Sequence, residues 1–364
     1  MTSDDALLHR CGELPRTPLG GRPVRRLPCR TIDVHAHVVV PQVQTIVAGS
    51  PALAAEAASL EQTFGAESIA VNASQLQTIG PKLMNLGTRF ADMDAMGVDM
   101  QMISISPTQY HYAVEDEDMA GAVVLTVNEQ IAGICEAHSD RLTGLGSVSL
   151  QHPVRAAAQL RHAMRGLGLR GVEISSNVNG VNISDRRFDP FWSAADDLGA
   201  VVFVHPWGTN VGDRLKRHYL GNTVGQPMET AIALSSLIFE GTLDRHPGVK
   251  ILAAHGGGYL PLYISRSDHA FDVRPEACGC ARRPSEYLRE MWFDSLVYEP
   301  EHLSRLIAVV GASRIVLGTD YPFDMGHYDP EALLRGLDPE TRSAIAGGNA
   351  AALLGVHAPQ EPTL

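Results

Sequence analysis

Positive charge is scarce in this sequence: 29 lysines and arginines face 41 aspartates and glutamates, a formal net charge of −12. Nucleic-acid binding wants a basic patch to neutralise phosphates, so this balance argues against such a partner. Long apolar runs are missing too, and no stretch approaches the ~20 residues that cross a bilayer. Cysteine is rare: Cys11, Cys29, Cys135, Cys278 and Cys280 make an odd count without framework spacing. Free thiols in a reducing cytoplasm fit that pattern. The pair Cys278-Gly-Cys280 has no second Cys/His pair beside it at zinc-site spacing. The opening stretch, MTSDDALLHRCGELPRTPLGG, is polar and broken by Pro and Gly, unlike a secretory signal. No Gly-x-Gly-x-x-Gly follows the first β-rich run, so a dinucleotide fold has no direct support.

What is present is ordinary globular composition, with 45% hydrophobic and 19% charged residues over 364 positions. Eight short β-rich runs stand out: Thr31–Ala36, Val98–Ile105, Leu142–Val148, Leu169–Ile174, Val201–Val204, Lys250–Ala254, Trp292–Leu296 and Arg314–Gly318. Several are almost continuously apolar, as parallel strands covered on both faces are. Between them, Glu117–Ser139, Pro153–Gly166, Phe188–Leu198, Pro227–Arg245 and Glu301–Val310 have helical periodicity. This alternation predicts an α/β fold, a (β/α)8 TIM barrel over residues 31–357; a doubly wound open sheet is the alternative. An N-terminal arm at 1–30 and a tail at 358–364 flank it. The stretch 38–88 is too long for a simple connection and predicts an inserted cap after strand 1, with β-like pieces such as Glu67–Asn72.

Barrel chemistry gathers at the C-terminal ends of strands. Strand 1 ends in Asp33-Val34-His35-Ala36-His37, and strand alternation sends His35 and His37 to the same side. Later strands run into His205, His255 and Asp320. One apolar strand ending in a metal-competent residue is ordinary, but four of the eight doing so point to one divalent ion. Three imidazoles and a carboxylate suit Zn2+, and the mixed N/O set admits Mn2+, Fe2+ or Co2+. Around these, Trp207 is a candidate pocket wall and His111, after strand 2, a candidate substrate contact. Glu173 reads as a buried partner for a barrel charge, and Asp294 as a hydrogen-bond partner for a ligand histidine.

The motifs Asp33-Val34-His35-Ala36-His37, His205-Pro206-Trp207, His255-Gly256-Gly257-Gly258 and Gly318-Thr319-Asp320-Tyr321-Pro322-Phe323 resemble the decarboxylase branch of the amidohydrolase superfamily. The aminocarboxymuconate-semialdehyde decarboxylases are the nearest group, and the likeness runs from Ile32 to Val356. It implies His35, His37, His205 and Asp320 as ligands of an ion that is usually zinc. Asp320 then counts as catalytic as well, and His255 is the acid/base that activates metal-bound water. Arg266 matches an arginine that reaches into the neighbouring subunit and holds a substrate carboxylate, which implies at least a homodimer.

Two positions depart from that pattern. Gln77 stands where the family has a second carboxylate-binding arginine, with Arg89 a candidate substitute. His218 stands where an aromatic residue follows the His-Pro-Trp loop, which makes it a candidate substrate contact. The expected activity is metal-dependent, non-oxidative decarboxylation of an unsaturated or aromatic carboxylic acid. The alternative is a hydrolase or hydratase of a small cyclic or unsaturated acid.

Overall fold

The structure, a computed structural model, describes residues 25–209 and 211–356. Most of the arm expected at 1–30, and the tail expected at 358–364, therefore lie outside the described residues. Among the described residues there are ten strands: β1 (Ile32–Val38), β2 (Met100–Ile105), β3 (Leu142–Gly144), β4 (Gly171–Ser175), β5 (Asn177–Val178), β6 (Val181–Asn182), β7 (Val201–His205), β8 (Lys250–Ala253), β9 (Trp292–Asp294) and β10 (Ile315–Val316). β5 and β6 form a small antiparallel hairpin beyond the end of β4. The other eight coincide with the eight apolar runs and pair in parallel, as β1-β2-β3 and β10-β9-β8-β7-β4.

Both seams between these two sheets are bridged. Gly146 pairs with Val172 beyond β3, and Ala36 with Tyr321 beyond β10. The amides of Val34 and His37 donate to the carbonyls of Leu317 and Tyr321 across the second seam. The strands thus follow one another round a closed (β/α)8 barrel. Asp33, fully buried in β1, bolts the second seam: its carboxylate accepts from Thr319 N (3.0 Å), Thr319 Oγ1 (2.6 Å), Gln101 Nε2 (2.9 Å) and His35 N (3.0 Å).

Helices cover the outside. Pro153–Arg165 and Asp189–Leu198 open with Pro at their first turns, where the missing N–H costs nothing. The predicted helix Pro227–Arg245 is two helices, Gln226–Phe239 and Thr242–Arg245, because Gly241 takes a left-handed conformation between them. No helix among the described residues is long and apolar enough to cross a membrane.

The segment between β1 and β2 departs most from expectation. It is helical throughout, as Gln42–Val47, Pro51–Met84 and Leu86–Met96, so Glu67–Asn72 is helix and not strand. Six residues of alternating pattern are outweighed by alanine-rich flanks with high helix propensity. Ser50 caps the long helix by accepting from Ala52 N, and Pro51 opens it. Gly65, at φ 73° and ψ 160°, bends it midway.

That bend seats the insert on the barrel mouth. A Cβ on Gly65 would lie 2.2 Å from the Lys216 carbonyl oxygen, so only glycine permits the approach. Nearby, Thr209 N donates to Thr63 Oγ1 (3.4 Å), and the Phe64 and Trp207 rings meet at 5.9 Å. Further contacts join Glu56 to His111 and Gln75 to Asp324. The insert therefore rests on the loops that follow β2, β7 and β10.

Candidate metal centre

β1 carries a one-residue register slip against β2 between Asp33 and Ala36, a bulge of the kind that re-aims side chains at sites. His35 and His37 leave this strand toward the lumen, both with no exposed surface. His205 ends β7, and Asp320 follows β10 at a left-handed φ of 59°. The ligating atoms of His35, His37, His205 and Asp320 all lie within 4.8 Å of one another, and all four residues are buried.

Proton bookkeeping shows what this cluster is built for. His35 Nδ1 lies 2.6 Å from Asp294 Oδ2, so it carries the proton and leaves a lone pair on Nε2. His37 Nδ1 faces the Ile105 carbonyl at 3.4 Å, and His205 Nδ1 faces the Pro206 carbonyl at 3.1 Å. Their Nε2 atoms are then lone-pair donors as well. The Nε2 atoms of His35 and His37 sit 3.1 Å apart, and Asp320 Oδ1 is 3.4 and 3.2 Å from them. His205 Nε2 and Asp320 Oδ1 are buried with no hydrogen-bond partner. Four lone pairs converge with no proton assigned among them. A divalent cation satisfies all of them at once, and three nitrogens with one oxygen fit its coordination.

Charge states point the same way. Burial, together with the neighbouring His37, His35 and His255, holds His205 well below the ordinary imidazole range, so it is neutral. Burial alone would raise the Asp320 carboxyl, yet His35, His255 and His37 hold it well below its usual value. Neutral imidazole and ionised carboxylate are the forms that bind metal.

His255 stands beside this cluster. Its Nε2 is 3.5 Å from Asp320 Oδ2, the oxygen facing away from His35 and His37, and its Nδ1 has no partner. Burial would lower its pKa, but Asp320 and Asp294 outweigh that and raise it. The residue sits at φ 53°, a conformation rare for non-glycine residues and common at functional sites. Asp294 fixes it there by accepting from His255 N and Gly256 N, each at 2.9 Å, while also holding His35. The glycines that follow serve packing: a Cβ on Gly258 would meet the Pro227 carbonyl oxygen at 2.1 Å.

The remaining sequence candidates scatter. Trp207 is half-buried on the loop after β7, against Phe64 of the insert. His111 is buried, with Nδ1 2.8 Å from Glu56 Oε2, so the contact it makes is with the insert. His218 is exposed, and its neighbour Tyr219 is half-buried. Burial and the nearby Asp324 and Asp320 push the Tyr219 hydroxyl up. Tyr298 feels Asp320 and Asp294 in the same way, after burial.

Sequence reasoning named neither tyrosine, because no local motif marks them. Arg89 is no substitute for the missing arginine: fully buried, it donates to Gln101 Oε1 (2.9 Å) and the His37 carbonyl, and stacks on Tyr321. Gln77 is exposed on the insert helix. Arg266 is exposed on the helix Leu260–Val273 and has no hydrogen bond or ion pair among the described residues.

A 2-amino-3-carboxymuconate-6-semialdehyde decarboxylase of Dictyostelium discoideum is 36% identical over 273 residues, 74% of this chain and 76% of that protein. A gamma-resorcylate decarboxylase of Rhodococcus jostii is 28% identical over 249 residues, 64% of this chain and 75% of that protein. A 5-carboxyvanillate decarboxylase from Novosphingobium aromaticivorans, solved with manganese and 4-hydroxy-3-methoxy-5-nitrobenzoic acid, superposes with a TM-score of 0.81. That match has 21% identity and covers 92% of this chain and 99% of the other. The amidohydrolase family model matches residues 32–356, the whole barrel with its insert, and the chain belongs to that family.

Proposed function

We propose that this protein is a metal-dependent, non-oxidative decarboxylase of an unsaturated or aromatic carboxylic acid. The observation that carries the reading is one carboxylate, Asp320, serving two partners. Oδ1 faces His35 and His37 of the metal cluster, and Oδ2 faces His255. A bound divalent ion supplies a Lewis acid for substrate or water oxygen.

The chain's own residues do the rest. His255, held by Asp294 and charge-stabilised by Asp320, delivers a proton to the substrate carbon that bears the carboxylate. The C–C bond then breaks, CO2 leaves, and its electron pair restores the ring or diene. An aromatic or conjugated acid is needed because only such a substrate accepts a proton at that carbon with the charge spread. The insert and the Trp207 loop wall the mouth and limit water. Zinc is the ion we assign, on the strength of three imidazoles to one carboxylate.

Arg266 is the carboxylate-holding residue in this reading, acting on the site of a second subunit. Exposed Leu262 and Tyr263 lie beside it on the same helix, and exposed Tyr259 and Ile232 border an apolar groove next to it, a surface suited to a second copy. Mixing Arg266→Ala with His255→Ala chains should then restore part of the activity that each lacks; mixtures no better than the parents, with exchange demonstrated, would rule out a shared site.

The function itself is tested by CO2 release from a panel of hydroxybenzoic, vanillic and muconate-type acids, alongside elemental analysis. Turnover of at least one acid with about one zinc per chain is the expected result. Hydrolysis or hydration products without CO2 would replace the decarboxylase reading.

A further inference from the structure

We propose that Glu173 is a positioning residue for the metal centre: it acts through His37, orienting that imidazole so that Nε2 is presented to the ion. The inference rests on the metal-centre reading above and extends it to β4, a strand that contributes no ligand.

The two β1 histidines are backed very differently. His35 is gripped at Nδ1 by Asp294, which is itself held by three backbone amides, those of His255, Gly256 and Leu296. His37 Nδ1 has a carbonyl at 3.4 Å, close to the limit of a hydrogen bond, and Glu173 Oε2 at 3.8 Å. Without a further hold, this ring would be the loosest of the ligands.

Glu173 is a costly residue to place where it is. It lies in β4 with no exposed surface, and burial raises its carboxyl pKa against the pull of His37. Oε1 accepts the hydroxyl of Tyr110, while Oε2 is buried without a hydrogen-bond partner. A buried carboxylate oxygen without a strong hydrogen bond is expensive; the Ser104 hydroxyl and His37 Nδ1, 3.8 Å from Oε2, are the groups that steady this carboxylate.

Tyr110 fixes the other end. It stacks on Tyr112 with ring centroids 5.5 Å apart, and its loop is stapled to the end of β1 by Gln109, which brackets Val40 N and O at 2.8 and 3.0 Å. The chain Tyr110–Glu173–His37 thus places a carboxylate behind the second histidine too, at 3.8 Å where Asp294 stands 2.6 Å from His35. Such partners raise ligand basicity, and their loss typically costs roughly 10- to 100-fold in metal affinity.

The test uses the full chain with Zn2+ and a competing chelator of known affinity. Glu173→Gln keeps the shape and the bond from Tyr110 but removes the charge. It should weaken Zn2+ binding by roughly 10-fold or more, and should alter the imidazole 15N signals of His37 in the zinc-loaded protein. The melting temperature of the metal-free form should stay close to that of the parent. Tyr110→Phe should weaken binding in the same direction by a smaller factor. Unchanged zinc affinity in Glu173→Gln would overturn the proposal. So would a loss explained by a matching drop in metal-free stability, since that marks a packing role. If the unsubstituted protein binds no zinc, manganese or iron at this cluster, it is the metal-centre reading that fails first.

Discussion

The ligand cluster and the helical insert meet at the same barrel mouth but are held in place by opposite means. Each ligand hangs from the end of a buried parallel strand, and its neighbours are fixed by hydrogen bonds such as Asp294 to His35 (2.6 Å) and Asp33 to Thr319 (2.6 Å). The insert has one long, bent helix, many exposed residues and a handful of anchor points. Glu56–His111 at 2.8 Å, Gln75–Asp324 at 2.6 Å and the Phe64–Trp207 ring contact are the main ones. A strand end is positioned by the whole barrel, so a ligand there is rigid before any ion binds. The insert is positioned by few contacts, so a change in it reaches the cluster only through the loops it rests on.

The comparison breaks most visibly inside the cluster. His205→Ala removes a ligand whose Nε2 has no other partner, so the ion and essentially all activity should go together. His255→Ala removes the proton donor but no member of the four-atom cluster. It should keep most of its metal and lose roughly 10²- to 10⁴-fold in turnover. Metal analysis beside kcat separates the two variants. If His255→Ala also lost the ion, His255 would be a ligand, and the acid/base would have to be found elsewhere.

A smaller effect is expected at the seat of the insert. Gly65→Ala places a methyl 2.2 Å from the Lys216 carbonyl oxygen, at a backbone conformation that L-residues avoid. Strain of this kind costs about 1–3 kcal/mol, and it falls on the insert and the loop around Lys216, not on β1. Limited proteolysis within 50–85 and 211–225 should accelerate and KM should rise several-fold, while metal content stays at the parent level. A lost ion in Gly65→Ala would show that insert and cluster are coupled.

The same division decides what could be read from sequence. Eight apolar runs were legible because buried strands are written as continuous hydrophobic stretches. The buried cluster of His35, His37, His205 and Asp320 was legible because strand alternation puts His35 and His37 on one side and barrels gather chemistry at strand ends. Glu67–Asn72 was misread because helix amphipathicity is weak over Pro51–Met84, where only a few positions such as Thr63, Phe64 and Ser68 are buried. His218 and Tyr219 both take a left-handed φ, which no local pattern encodes, so nothing in the sequence signals that His218 is exposed while Tyr219 is half-buried. Arg89 looked available because a charge in sequence gives no sign of burial, and its guanidinium in fact serves Gln101 and the His37 carbonyl.

The smallest expected effect sharpens the comparison from the insert's side. Gln77, which the resemblance sets where the family carries a carboxylate-binding arginine, is exposed on the helix, two residues past the Gln75–Asp324 contact. Two residues along a helix is a rotation of about 200°, so Gln77 faces away from the side on which Gln75 meets the barrel. Gln77→Ala removes no hydrogen bond or ion pair and substitutes a slightly better helix former, worth at most a few tenths of a kcal/mol. Turnover and KM on the best acid of the panel should stay within about twofold of the parent, and the melting temperature should not fall. Gln75→Ala, which does break a contact to the loop carrying Asp320, serves as the positive control and should raise KM. A tenfold loss in Gln77→Ala would mean that the insert turns this face toward the substrate when the site is filled, and that the missing arginine has been replaced in function by glutamine.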